Sequence, residues 1–374
     1  MPDFFLADDL SGALDAAAAF HHAGRRVTTR LAFDQPGAGE ERADVVALTT
    51  ETRNAAPALA AERVARVVTE IRTRGGRLLF KKIDSTMRGP VAAELAALAA
   101  AMPEARILFT PANPAVGRTV RAGVLRVNGV PVAETEFGRD PLSPVRESSL
   151  PKLLGAAATD RVVIADAETQ DDLDAAVARM AAADGPWIAV GSGALARAVA
   201  TRGETRAVVP PREWPAIASR AMLMVCGSAH PANRRQAERL RRERGVALHE
   251  LSLADPQAGI RAAVASLAAS GTAALAIELA RAESGGALRA IAAAAAELIA
   301  TTGVRRVFVT GGETAFAVCG ALGISSLEFL EEIEIGVSVS GTRTAGGPML
   351  LAVKPGGFGD EATWVRIWDR LKHS

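Results

Sequence analysis

Three features of the sequence predict an α/β fold of two domains. Short apolar runs alternate with helical stretches; the alternation stops in a proline-bearing aperiodic segment and then resumes; and 374 residues exceed what a single core usually fills. Each half is expected to form a parallel or mixed sheet flanked by helices.

In the first half, strands are predicted over Asp3–Ala7, Val27–Phe33, Val45–Thr49, Leu78–Lys82 and Ile107–Thr110, with helices over Gly12–Ala23, Pro57–Arg74 and Val91–Ala101. The Asn128-Gly129 pair between β-branched runs predicts a hairpin. Strands at Val162–Ala165 and Trp187–Val190 follow, with helices around Asp171–Ala183 and after Gly193. Gly203 to Ser219, carrying Pro210, Pro211 and Pro215, reads as the linker. Beyond it, strands are predicted at Met222–Cys226, Ala247–Leu251, Ala274–Glu278, Val307–Thr310 and Leu350–Val353, separated by alanine-rich helices.

Composition narrows the function classes. Hydrophobic residues make up 49% and charged residues 23%, an ordinary globular balance. The net charge is +1 with no basic or acidic block, which argues against nucleic acid and membrane surfaces as partners. No apolar run reaches transmembrane length, the N-terminus lacks a signal-peptide pattern, and Cys226 and Cys319 are the only cysteines, so a reducing, cytoplasmic setting is expected. Lysine occurs at only five positions, and three of them, Lys81, Lys82 and Lys354, fall in clusters at strand ends.

Ligands of open α/β sheets bind beyond the carboxyl ends of strands, and the unusual clusters sit there. Asp8-Asp9-Leu10-Ser11-Gly12 follows the first strand; its carboxylates can bind a polyol, take a hydroxyl proton, or simply cap the next helix. Lys81-Lys82-Ile83-Asp84-Ser85-Thr86-Met87-Arg88-Gly89 gathers two ammonium groups, a carboxylate, two hydroxyls and a guanidinium; Arg88 can hold a carboxylate at two points with Lys82 adding charge. Arg118, in the loop Pro111 to Thr119, is a second anion anchor. In the second half, Gly227-Ser228, Gly311-Gly312-Glu313-Thr314 and Lys354-Pro355-Gly356-Gly357 each follow a strand, and glycines there let phosphate approach backbone N–H groups. Three such turns in one domain predict a nucleotide site, with Lys354 available to phosphate. There is no G-x-x-x-x-G-K-[ST] P-loop, no complete G-x-G-x-x-G fingerprint and no zinc-spaced histidine set.

In their order, ADDLSGALD, KKIDSTMRG, PANPAVGRTV, GVLRVNGVPVAETEFGRDP, GSAHPANRRQ, TGGETA and KPGGFGD resemble the four-carbon acid sugar kinase family, formerly a domain of unknown function. The resemblance implies a sugar-acid-binding domain over residues 1–210, a nucleotide-binding domain over 219–374, and an active-site cleft between them. It implies an ATP-dependent kinase acting on the terminal hydroxyl of D-threonate or D-erythronate, with L-threonate and 3-oxo-tetronate as further candidates. Carried over by position, it puts Asp8, Asp9, Lys82, Asp84, Ser85 and Arg88 at the sugar acid, and Ser228, Gly311, Gly312, Glu313, Thr314 and Gly357 around ATP. Mg²⁺ should bridge the phosphates with few protein ligands, its ligands being unassigned. For the base, Asp8, Asp9 and Asp84 are the candidates; Asp360 stands behind them because Gly-x-Gly-Asp at a helix start resembles the ribokinase-type base motif. The partners expected are thus a small sugar acid and ATP or ADP; the sequence admits a homodimer without specifying one. Two rival readings are a nucleotide-cofactor dehydrogenase of a hydroxy acid, which needs the missing fingerprint, and a non-catalytic sugar-acid-binding protein, which leaves the glycine turns unused.

Overall fold

The structure, a computed structural model, describes residues 1–31, 39–202, 214, 216–228, 230–277 and 285–373. The chain divides into two units, Met1–Val209 and Pro210–Ser374. Most of the expected linker, with Phe33, Ala229 and Glu278, lies outside the described residues.

In the first unit the elements run β1 (Asp3–Ala7), α1 (Leu10–His22), β2 (Val27–Arg30), β3 (Val45–Thr49), α2 (Pro57–Thr73), β4 (Leu78–Lys82), α3 (Val91–Ala101), β5 (Arg106–Thr110), β6 (Arg118–Arg121), β7 (Val124–Val127), β8 (Val130–Pro131), α4 (Leu150–Leu154), β9 (Val162–Ile164), α5 (Gln170–Ala182), β10 (Trp187–Gly191) and α6 (Gly193–Thr201). Seven strands pair in the order β2-β3-β1-β4-β10-β5-β9, all parallel. Central strands buried on both faces need continuous apolar runs, and Phe5, Leu6, Val46 and Phe109 supply them; Phe5 stacks on Phe20 of α1 at 5.3 Å. The connection after β1 leads to one side of the sheet and that after β4 to the other. A topological switch point therefore falls between β1 and β4, where an open sheet leaves a crevice. Asn128 (φ 50°) and Gly129 (φ 83°) turn the expected hairpin, β7 to β8, within a small antiparallel sheet that starts with Arg118.

The second unit runs β11 (Met222–Cys226), α7 (Pro231–Arg244), β12 (Leu248–Leu251), α8 (Pro256–Ser270), β13 (Thr272–Ile277), α9 (Gly285–Thr302), β14 (Arg306–Thr310), α10 (Gly312–Ala321), β15 (Ser326–Glu334), β16 (Val337–Thr344), β17 (Gly347–Lys354) and α11 (Thr363–Lys372). Its strands order as β12-β13-β11-β14-β17-β16-β15. The first five are parallel neighbours, while β15, β16 and β17 form an antiparallel meander. Strands β15 and β16 are not among the sequence-predicted elements: Glu328, Glu331, Glu332 and Glu334 break the apolar run of β15, and Ser338, Ser340 and Gly341 that of β16. The switch point here lies between β11 and β14. Trp364 of α11 closes this core edge-on against Phe308, centroids 5.4 Å apart. Among the described residues no helix is long and apolar enough to cross a membrane.

Candidate functional site

Each switch point gathers the residues that the sequence singles out, in opposite chemical styles. At the first, Asp8 and Asp9 leave β1 and the Lys82–Arg88 segment leaves β4. Asp9 caps α1: its Oδ1 accepts from the Gly12 N–H at 2.6 Å and its Oδ2 from Ser11 Oγ at 2.6 Å. Asp8 instead faces Arg53, a residue the sequence reading overlooked. The Arg53 guanidinium donates to both oxygens of Asp8 (Nε to Oδ2 2.9 Å, NH2 to Oδ1 3.0 Å) and to Asp9 Oδ2 at 2.6 Å, and lies 3.8 Å from Asp84. Asp84 also accepts from Arg88 NH2 at 2.7 Å and from the Thr86 N–H at 2.9 Å.

These pairings set the acidities. Burial pushes Asp8 up, but Arg53 with Lys81 and Lys82 outweighs it and holds the carboxyl below the ordinary carboxylate range. Burial acts likewise on Asp84, and Arg88 and Arg53 overcome it, holding Asp84 well below that range. The three aspartates expected as proton acceptors are thus engaged by guanidinium groups, and two are held acidic. All three carboxylates thus stand at the strand ends with an arginine partner in place.

Arg88 is likewise committed. Its Nε, N–H and NH2 all point at Asp84, and NH1 lies 3.5 Å from Asp140. Lys82 is buried, its Nζ 3.1 Å from the Ile83 carbonyl and 3.4 Å from Asp15. Arg118 differs. It stands 5.7 Å over the Phe137 ring, which Arg88 approaches at 5.6 Å, and its NH1 donates to the Val116 carbonyl, but its buried Nε has no partner. Burial lowers the affinity of Arg118 for its proton. Two guanidinium groups, Arg88 and Arg118, thus stand against one Phe137 ring. Ser85 is half-buried at the rim of the same segment.

Beneath this layer Lys81 and Glu94 form a fully buried pair at 2.9 Å, and Thr52 donates to the other oxygen of Glu94. The signal was present: Glu94 is the only charge in the apolar helix VAAELAALAAA. Glu51, two residues after β3, also escaped notice. It holds a left-handed φ of 46° and accepts a hydrogen bond from Thr49 Oγ1.

At the second switch point the chemistry is backbone. Strands β11, β14 and β17 are adjacent, and Cys226, Thr310 and Lys354 are in register at their ends, so the three glycine turns meet. A Cβ on Gly356 would come within 2.6 Å of Ser228 Oγ, one on Gly357 within 2.9 Å of His230 Nε2, and one on Gly227 would collide with Thr314. Gly311, at φ 100°, precedes α10, whose first turn carries no side-chain cap, with Gly312, exposed Glu313 and buried Thr314 opening the helix. Backbone N–H groups there suit phosphate.

Lys354 corrects an expectation. It is fully buried, and its ammonium reaches Asn233 Oδ1 (3.0 Å) and the carbonyls of Pro355 (3.0 Å), Gly356 (2.9 Å) and Phe358 (3.0 Å). Burial brings its pKa down to about 8. Gln236 adds donations to the carbonyls of Phe358 (3.1 Å) and Asp360 (2.8 Å). Lys354 therefore shapes the turn from inside and does not present its charge to phosphate. Asn233 and Gln236 were missed, although polar residues three apart on the buried face of α7 are a visible anomaly. Asp360 is exposed and tied to Arg366 at 3.0 Å.

Family models match both halves: a sugar-binding N-terminal domain over residues 4–159 and a nucleotide-binding C-terminal domain over 223–364. A D-threonate kinase of Bordetella bronchiseptica is 35% identical over 98% of this chain and 96% of its own. The chain belongs to the four-carbon acid sugar kinase family. A 3-oxo-tetronate kinase of Methylobacterium radiotolerans is 30% identical over 98% of each chain. A solved Salmonella typhimurium protein shares the fold at a TM-score of 0.77, with 22% identity and 98% of each chain covered. This four-carbon acid sugar kinase is accordingly an enzyme that transfers a phosphoryl group between a nucleotide and a four-carbon sugar acid. The dehydrogenase and the non-catalytic binding protein are set aside.

Proposed function

We propose that this kinase uses ATP and Mg²⁺ to phosphorylate the terminal hydroxyl of D-threonate, with D-erythronate as the next preferred acceptor. The observation that carries the reading is the contrast between the two switch points: one offers an unmet arginine donor among fixed charges, the other three touching glycine turns at an uncapped helix start. Relatives named D-threonate kinase at 35% identity and 3-oxo-tetronate kinase at 30% support the lean toward threonate.

In this reading the first unit binds the sugar acid. Arg118 takes its carboxylate, backed by Arg88, while Asp84, Ser85 and Lys82 line the approach and the Arg53 lattice keeps the aspartates in place. The second unit holds ATP, its phosphates against the N–H groups around Gly311, Gly312, Gly356 and Gly357, with Ser228 and Thr314 hydroxyls beside them. Among the described residues no group of three or more carboxylates, histidines or cysteines gathers at metal-binding geometry. We therefore assign Mg²⁺ mainly to phosphate oxygens and water; when bound it supplies charge neutralisation. The two free cysteines are buried, which fits a cytoplasmic enzyme.

The test is ATP-dependent ADP release from a panel of D-threonate, D-erythronate, L-threonate and 3-oxo-tetronate, with the phosphorylated position read by NMR. D-threonate should give the highest kcat/KM and a phosphate ester at the terminal carbon. A higher kcat/KM for 3-oxo-tetronate, or phosphate at an internal hydroxyl, would overturn the assignment.

A further inference from the structure

The three aspartates at the first switch point each accept a hydrogen bond from an arginine, and the charge of that partner makes Asp8 and Asp84 weak bases. We propose that Glu51 is the catalytic base of the phosphoryl transfer. The inference rests on the sugar-acid kinase reading above and adds the residue that completes its chemistry.

Position comes first. Glu51 follows β3, the neighbour of β1, so it stands at the same sheet edge as Asp8 and Asp9. Its surroundings fix it there. Thr50 donates from N and from Oγ1 to the Ala7 carbonyl (2.8 and 2.9 Å), and Thr52 N–H donates to the Asp8 carbonyl at 2.8 Å. Arg63 of α2 donates to the carbonyls of both Thr50 (3.0 Å) and Glu51 (2.8 Å). Such a clamp holds Glu51 at φ 46°, a conformation that costs a non-glycine residue free energy and that persists where the surroundings over-determine it, frequently at functional sites.

The state of the carboxyl is the second observation. Among the described residues its side chain accepts one hydrogen bond, from Thr49 Oγ1, and forms no ion pair, while the largely buried residue keeps some contact with solvent. Free lone pairs and access distinguish it from Asp8, Asp9 and Asp84. The charged groups facing it are Asp9 and Asp8 from the β1–α1 turn and Arg53 on its own loop, with Arg63 on its backbone. Burial, reinforced by the Asp9 charge, raises the carboxyl to about 8, against the smaller opposing effects of Thr49 and Arg53. A base that titrates near working pH, and not far below it, is the efficient kind.

In the step, the acceptor hydroxyl oxygen forms its bond to the γ-phosphorus of the nucleoside triphosphate. The bond from that phosphorus to the β,γ-bridging oxygen breaks, its electron pair leaving on the diphosphate, and the hydroxyl proton passes to a Glu51 carboxylate oxygen. The carboxylate form is required at the start. Because the free-enzyme pKa is raised, kcat/KM for the sugar acid should climb about tenfold per pH unit up to about 8 and level off above it.

The experiment measures the pH dependence of kcat/KM, from pH 6 to 9.5, for the full-length enzyme and two variants. Glu51→Gln should lower kcat by about a hundredfold or more, keep the sugar-acid KM within about threefold, and abolish the limb near pH 8. Thr49→Val keeps shape and the carboxylate but removes the hydrogen bond that lowers its pKa, so the limb should move to higher pH with plateau activity retained. Should Glu51→Gln not fold, the Thr49→Val limb decides alone. Wild-type activity whose limb is unmoved in Thr49→Val, or a Glu51→Gln enzyme within about threefold of wild-type kcat, would overturn the role of Glu51. Wild-type enzyme inactive on every four-carbon acid would instead overturn the substrate reading.

Discussion

The two units solve the same geometric problem with opposite materials. Each opens at a switch point flanked by its first and a later parallel strand, β1 with β4 and β11 with β14. In the first unit the loops carry charge: Arg53 bridges Asp8 and Asp9, Arg88 holds Asp84, and Lys81 pairs with Glu94. In the second they carry absence of side chain, with glycines packed against Ser228, His230 and Thr314 and one buried lysine gripping the turn from behind. Small polyhydroxy acids must be told apart by directional side-chain contacts, whereas phosphates are met well by backbone N–H groups. The first site should therefore break when charge is removed, and the second when volume is added.

The largest expected effect of removing charge is at Arg53. Arg53→Met strands Asp8 and Asp9 as buried carboxylates without their partner, and such loss typically costs about 3–5 kcal/mol. Urea denaturation at neutral pH should show a destabilisation of that order together with loss of activity. A variant within about 1 kcal/mol of wild type would mean that the lattice is solvated and the contrast between the units overstated. A smaller effect is expected from adding volume. Gly356→Val puts a branched side chain against Ser228, and ADP affinity by calorimetry should fall about tenfold or more, equivalent to roughly 1.4 kcal/mol, with sugar-acid KM unchanged. Unchanged ADP affinity would remove the third turn from the nucleotide site.

Legibility in the sequence followed the same division. Strands β1, β3, β4 and β11 match their sequence-predicted bounds because parallel strands covered on both faces are built on apolar runs, to which β1 adds a leading aspartate and β4 two closing lysines. Strand β15 was hidden because a half-buried antiparallel strand admits glutamates, and β16 because serines, threonines and a glycine interrupt its apolar residues. The clusters at the strand ends were legible as clusters; their internal wiring was not. Nothing in the order Asp8-Asp9 tells which carboxylate caps α1, or that both meet one arginine 45 and 44 residues on. Lys354 reads as a phosphate ligand until its acceptors, Asn233 and three carbonyls, are seen around it. Glu51 is invisible in sequence because its distinction is a backbone angle and a missing ion pair.

The most direct test falls on Arg118, the guanidinium beside Arg88 whose buried Nε has no partner. Calorimetric titration of the full-length Arg118→Lys enzyme with D-threonate and with ADP separates the two sites in one measurement. The substitution keeps the charge but loses the planar fork and the buried Nε. D-threonate affinity should fall about tenfold, in line with roughly 1.5–3 kcal/mol for a hydrogen bond to a charged group, while ADP affinity holds within about twofold. Undiminished D-threonate affinity with weakened ADP binding would contradict the account and move the first switch point to the nucleotide.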